Sequence, residues 1–178
     1  MKKNKDTMQL IMDTGQYLVH ELGYNAMSYA DIAERIGIKK ASIHYHFPTK
    51  QELVQAILHR YRKEFLNELD QIEQISINSE EKLFRFFQHY RETLANDSKL
   101  FLCSIMAAEL VSFPIEIQNE INGFFRDNEN WIEKVINQGK ESGIMDYQIS
   151  SREQSKIIMA FVQGAQLLAR SSGGPSIL

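Results

Sequence analysis

Residues 24–50, YNAMSYADIAERIGIKKASIHYHFPTK, constrain the fold most, because their punctuation leaves room for two short helices and a tight turn. Ser28 stands as N-cap with Asp31 three residues on, and Met27 and Ile32 sit where a hydrophobic staple closes. Ala33 and Ile36 are expected to face inward. Gly37 can take the left-handed conformation that stops the helix, with Ile38 packing back over it. The next helix must be short, since Pro48 disfavours helical geometry at Phe47. Thr49-Lys50-Gln51-Glu52 then forms a second capping box that opens a longer helix. Two short helices about a glycine turn are the layout of a helix-turn-helix, which lays its second helix in the major groove of DNA.

The second short helix has the chemistry for that task. Lys39, Lys40, Ser42, His44, Tyr45 and His46 offer groups that can reach base edges and phosphates, while Ile43 and Phe47, four apart, anchor one face on the core. Lys40 and His44, also four apart, point the other way. A seven-residue polar helix cannot stand alone and must be held by its neighbours. The alternative for such a run is a solvated surface helix.

Charge is distributed accordingly. The chain of 178 residues carries a net −3, but residues 1–63 hold ten Lys/Arg against six Asp/Glu, and residues 64–178 hold ten against seventeen. A basic first third on an acidic remainder suggests that only the first part meets phosphate. No apolar run approaches the roughly 20 residues that span a bilayer. The N-terminus MKKNKDTMQL has no apolar signal core, and Cys103 is the sole cysteine, so a reducing, cytoplasmic setting is expected.

Helical spacing recurs and period-2 strand patterning is missing. The spacing predicts an all-α chain of eight helices, spanning roughly 6–22, 29–36, 40–46, 50–73, 79–96, 99–112, 115–141 and 150–171, with a loose tail at SSGGPSIL. Division is expected at residue 50. Residues 1–50 form the DNA-binding domain, and residues 51–178 form a helical domain for effector binding and dimerisation.

The order Asp31-Ile32-Ala33, Gly37-Ile38, Ser42 to Phe47 and Lys50 to Leu53, with Gly23-Tyr24 closing the first helix, resembles the TetR family of transcriptional regulators over about residues 8–60. The resemblance implies an all-helical homodimer whose N-terminal three-helix unit binds palindromic double-stranded operator DNA. It also implies a C-terminal domain that binds a small molecule releasing the DNA. Carried over by position, Lys40, Ser42 and His44 match base-reading sites. Tyr45, His46 and Lys50 match backbone contacts, joined by Ser28 and Tyr29 from the start of the second helix; Lys39 and Thr49 flank this set. Two departures stand out. Gly15 replaces a usual alanine, at about 1 kcal/mol of helix preference, and Val19 replaces a common phenylalanine.

Beyond residue 79, bulky apolar side chains either fill a helical core or line a cavity for a small apolar effector. Polar groups set among them single out a candidate pocket: Phe87, His89, Tyr90, Cys103, Met106, Glu109, Phe125, Asn128 and Trp131. The last helix mixes Ala160, Gly164, Ala165 and Ala169 with Ile157, Phe161 and Leu168, a stripe suited to pairing with the 115–141 helix and their symmetry mates. Cys103 is an alternative, thiol-based switch, and a regulator with no effector is another. An enzyme is not expected. His44 and His46, two apart on a helix, do not face one another as metal ligands would, no HExxH, P-loop, GxSxG or CxxC pattern is present, and no cofactor or metal is expected.

Overall fold

The computed structural model describes residues 2–95 and 101–172. Its helices are α1 (Lys2–Ala26), α2 (Tyr29–Ile36), α3 (Lys40–His46), α4 (Lys50–Ile75), α5 (Ser79–Ala95), α6 (Leu102–Ala107), α7 (Ile115–Glu141) and α8 (Ser151–Ser172), with a 3-10 turn at Leu110–Ser112. No strand occurs among the described residues. The expected all-α architecture is the observed one. The sixth helix is shorter than the spacing predicts. Ser112 turns both its amide and its hydroxyl onto the Glu109 carbonyl, at 2.9 and 2.7 Å, which favours a tight turn over a further helical one. Residues 99–100 and most of the expected C-terminal tail, 173–178, lie outside the described residues.

The chain forms two compact units that do not follow chain order. The first comprises residues 1–62 and 102–121, the second 63–101 and 122–178. Helices α4 and α7 therefore each contribute residues to both. The expected boundary is at residue 50; packing instead draws the first turns of α4, all of α6 and the start of α7 into the unit that holds α1–α3.

In the first unit, Ile11, Ile32, Ile43, Leu53, Val54, Ile57 and Leu58 are completely buried, with Val19 and Met27 nearly so. Gly15 has a packing reason. A methyl group there would lie 3.0 Å from the Ile57 Cδ1 and 3.5 Å from the Leu53 Cδ2, so the bare backbone lets α1 approach α4 closely. The caps of α2 form as the sequence predicts. Ser28 Oγ accepts from the Asp31 amide at 3.4 Å, and the Asp31 carboxylate accepts from the Ser28 amide at 2.8 Å. The Ser28 hydroxyl, which also donates to that carboxylate, and after it the Ser28 amide hold the Asp31 carboxyl below the usual carboxylate range. Gly37 sits at φ 68°, ψ 34°, and the Ile38 amide returns to the Ala33 carbonyl at 3.1 Å.

The second unit is built on an aromatic core. Phe65 meets Phe124, Phe101, His89 and Tyr90 at centroid distances of 5.0, 5.3, 5.4 and 5.9 Å. Tyr90 stacks on Phe101 at 4.3 Å, and Phe86 stacks on Trp131 at 5.6 Å. The apolar stripe of α8 is divided. Ile158, Val162, Ala165 and Ala169 are buried, whereas Ile157, Phe161 and Leu168 are more than half exposed.

Phe65→Ala removes the ring on which four others converge and is expected to cost about 3–5 kcal/mol. Phe84→Ala, at a site 59% exposed, should stay within about 0.5 kcal/mol of the parent. Urea unfolding of both variants measures the difference.

Candidate nucleic-acid interface

Helix α3 is presented as its pattern requires. Ile43 is fully buried and Phe47 6% exposed, so the inward face is anchored. Lys39, Lys40, His44, Tyr45 and Thr49 are exposed, Tyr45 to 75%, and Ser42 and His46 are half-buried. Lys39 holds the N-cap position in extended geometry, with no side-chain cap, so its ammonium is not spent on the helix end. His44 packs edge-on against Tyr29 at 4.8 Å, with its Nδ1 3.2 Å from the Pro48 carbonyl. A carbonyl only accepts, so this contact favours the proton on Nδ1 and leaves Nε2 of the neutral ring as an acceptor.

Two residues expected at the DNA surface are employed inside the unit. Tyr29 is buried, and its hydroxyl donates to the Phe47 carbonyl at 2.8 Å, tying α2 to the end of α3. Burial, reinforced by the charge of Glu52, pushes its pKa up to about 12. The Lys50 ammonium donates to the carbonyls of Tyr24, Met27 and Asn25 at 2.8, 3.0 and 3.3 Å and lies 4.5 Å from the Tyr24 ring centroid. An ammonium has three donors, and all three are directed at the α1–α2 junction. Burial draws the Lys50 pKa below its ordinary value. Ser28 is similarly occupied with Asp31, its hydroxyl donating to the carboxylate at 2.7 Å. Sequence spacing alone does not show which way the polar ends of Tyr29 and Lys50 turn.

The nine candidate effector residues do not gather in one unit. Phe87, His89, Tyr90, Phe125, Asn128 and Trp131 belong to the second, and Cys103, Met106 and Glu109 to the first. Tyr90 and Asn128 are fully buried, and the Tyr90 hydroxyl donates to Asn128 Oδ1 at 3.1 Å. Asn128 Nδ2 in turn donates to the Phe124 carbonyl at 2.8 Å. Phe87 and Phe125 are half-buried, edge-on to Phe86 and Phe124. His89, also half-buried, has Nε2 2.9 Å from a Glu68 carboxylate oxygen. Cys103 and Met106 are buried. Glu109 departs from the expectation of a polar group on an apolar face: it is exposed and accepts from Asn25 Nδ2 at 3.2 Å. Its position after the end of α6 turns it to solvent.

Gln166 escaped the sequence reading. It is fully buried, and its Oε1 accepts from the Phe101 amide at 3.2 Å. It shares the inward face of α8 with Val162, Ala165 and Ala169. The test that singled out Asn128, a polar residue on an apolar face, would have found it.

A capped helix-turn-helix with a polar, lysine- and histidine-bearing second helix, joined to a helical unit, defines a DNA-binding transcriptional regulator. Residues 11–57 match the family model for bacterial regulatory proteins of the tetR family, and residues 59–165 match that for the C-terminal region of YsiA-like proteins. The chain belongs to the TetR family of transcriptional regulators. It is similar to the crystal structure of a TetR-family regulator from Agrobacterium tumefaciens, with 29% identity, 98% of this chain and 92% of that one covered, and a TM-score of 0.94. A TetR regulator from Legionella pneumophila is 33% identical over 94% of this chain and 89% of that one, with a TM-score of 0.84. Among curated relatives, the biofilm operon icaADBC HTH-type negative transcriptional regulator IcaR of Staphylococcus aureus is 25% identical over 163 residues, covering 91% of this chain and 83% of that protein. The family is one of DNA-binding regulators, not of enzymes. No helix among the described residues is long and apolar enough to cross a membrane.

Lys50→Ala leaves three carbonyls at the α1–α2 junction without a charged donor and is expected to destabilise the protein by about 1.5–3 kcal/mol. The dependence of operator affinity on salt should keep its slope, because a lysine with all donors committed internally releases no phosphate counterion. A direct phosphate contact predicts the opposite pattern, intact stability and a slope flatter by about 0.9. Thermal unfolding and a salt titration of operator binding separate the two.

Proposed function

We propose that the chain is a homodimeric repressor. It holds palindromic operator DNA through α3 and is released when a small apolar effector binds the helical part of the chain. The observation that carries the reading is α3 itself, seven residues anchored by Ile43 and Phe47 with Lys40, His44 and Tyr45 turned out to solvent. Groups of that kind serve base edges and phosphates. Repression is supported by the similarity to IcaR, a negative transcriptional regulator. In this reading Lys40, Ser42 and His44 meet bases, and Lys39, Tyr45, His46 and Thr49 meet the backbone. Tyr29 and Lys50 hold α3 in register, and Ser28 caps α2.

Dimerisation is supported by α8. Ile157, Phe161 and Leu168 leave a ridge more than half exposed on one face, and Gly164 between them has open space where a side chain would stand. An apolar stripe of this kind on a soluble regulator calls for a cover, and a symmetry mate gives a self-complementary one. Most apolar side chains of α7, among them Ile117, Ile121, Ile132 and Val135, are spent inside the fold, so α8 supplies the larger apolar share of the proposed interface.

The effector is assigned to the aromatic second unit, and its binding need bias DNA affinity by only about 1–3 kcal/mol to act as a switch. A thiol switch at Cys103 is not favoured. The side chain is completely buried, and burial, followed by the nearby Glu120 charge, pushes its pKa well above the ordinary thiol value. A reactive cysteine needs the opposite environment.

Selection from random duplexes should return a palindrome with two half-sites. Lys40→Ala and His44→Ala should each cost about 1–3 kcal/mol at particular bases and relax preference there. Binding without an enriched palindrome, or variants that weaken all sequences alike, contradicts the docking.

Phe161→Glu places a charge in the α8 ridge and should convert dimers to monomers at micromolar concentration, with helicity retained. Sedimentation of parent and variant decides this, and a monomeric parent refutes the proposed interface.

A further inference from the structure

An open groove of about 510 Å³ lies in the second unit, between the start of α5 and the turn that follows α7. Local chemistry builds that turn. Gly143 takes φ 70°, and the Ile144 and Met145 amides return to the Gly139 carbonyl at 2.9 and 3.0 Å. The Met145 side chain then lies over the bare backbone of Gly139, where an added methyl group would meet its Sδ at 2.5 Å. Ile144, Met145 and Tyr147 line the groove from this side, and Leu83, Phe84 and Phe87 line it from α5. Leu83 is buried, but Phe84 is 59% and Ile144 47% exposed, so apolar surface stays in contact with water.

Two carboxylates, Glu80 and Asp146, complete the lining. Both are exposed, and neither has a hydrogen bond or ion pair with another described residue. Glu80 has a local reason, since it stands in the first turn of α5, where the helix dipole favours a carboxylate. Asp146, past the end of α7, has no such reason. No lysine, arginine or histidine lines the groove. The cations closest in sequence are committed elsewhere. Lys82 donates to Glu73 and Gln138 at 2.9 and 2.8 Å, and Arg85 to Glu81 at 2.7 Å. Lys140 donates to the Ile149 carbonyl at 3.0 Å, and Arg152 to Glu133 at 3.1 Å. The wider charge acts in the same direction, with ten Lys/Arg against seventeen Asp/Glu over residues 64–178.

We propose that this groove binds a small lipophilic cation of the quaternary-ammonium class. Aromatic rings attract such a head group, the aliphatic walls hold its organic substituents, and Glu80 and Asp146 supply its counter-charge. An anion of the same size would meet like charge from both carboxylates. The assignment goes beyond the effector reading, because it does not require release of operator DNA. The competing occupant is a second copy of the chain, since Phe87 also meets Phe161 of the α8 ridge at 6.4 Å.

The probes are benzyltriethylammonium, its neutral isostere benzyltriethylsilane and the anion hydrocinnamate, titrated against the full chain by ligand-observed NMR. The ammonium should bind saturably, and hydrocinnamate at least about tenfold more weakly. Glu80→Gln with Asp146→Asn should weaken the ammonium about fivefold and leave the silane within about twofold, because only charge is removed. Asp70→Asn with Glu92→Gln removes the same charge from exposed positions outside the groove and should leave both probes within about twofold. Phe84→Ala should weaken ammonium and silane alike while sedimenting as the parent does. Circular dichroism checks that each variant keeps its helicity. Absence of saturable ammonium binding, tighter binding of the anion, or equal loss in the two charge-removing pairs overturns the proposal. So does a Phe84→Ala protein of smaller mass than the parent, which gives the groove to a second copy.

Discussion

The Lys50 ammonium is the interaction on which the DNA-binding unit depends. Gly23 breaks helical geometry inside α1 at φ 79°, ψ 165°, and the residues after it, from Tyr24 to Met27, carry backbone carbonyls within reach of α4. Lys50, the first residue of α4, collects three of them. One side chain thus joins the end of α1, the entry to α2 and the start of α4. Tyr29, one residue after the α2 cap, reaches from the same region to the carbonyl of Phe47. The two short helices are too brief to be stable in isolation. Their angle is held by these cross-ties and by the buried Ile32 and Ile43.

The same junction receives the segment after α6. Tyr24 packs edge-on against Phe113 at 5.1 Å, and Asn25 bonds to Glu109 at 3.2 Å. Tyr24 and Asn25 also supply two of the carbonyls that Lys50 holds. Residues 102–121 therefore belong to the DNA-binding unit by packing although they follow it by forty residues in sequence. That segment and the Lys50 ammonium therefore converge on the same two residues, Tyr24 and Asn25.

Local signals made the first half legible. The capping box at Ser28 and Asp31, the left-handed Gly37 and the inward pair Ile43 and Phe47 all stand where residue chemistry places them, because each is decided within four or five residues. The direction of Lys50 and Tyr29 was not legible, since both can face water or carbonyls and the choice depends on residues more than fifteen positions away. Glu109 was misplaced for a related reason: helical spacing continued α6 through 112, and a residue past the true helix end leaves the face that spacing assigns to it. The pocket set mixed two units because the segment from Leu102 onward, with Cys103, Met106 and Glu109, packs with the first unit, a division that no periodicity records. Gly15 shows the converse. Its helix propensity reads as a defect, and only the 3.0 Å approach to Ile57 explains it.

The polar groups buried in the second unit divide into two kinds. Tyr90 and Asn128 satisfy one another and the Phe124 carbonyl, so they specify one arrangement of α5 against α7. Trp131 and Gln166 each retain an unpaired donor in an interior of comparable polarity. A core selected only for stability would remove such donors with a phenylalanine and a leucine, which fit similar volumes and carry no desolvation cost. Replacing either residue in that way is expected to be neutral or stabilising.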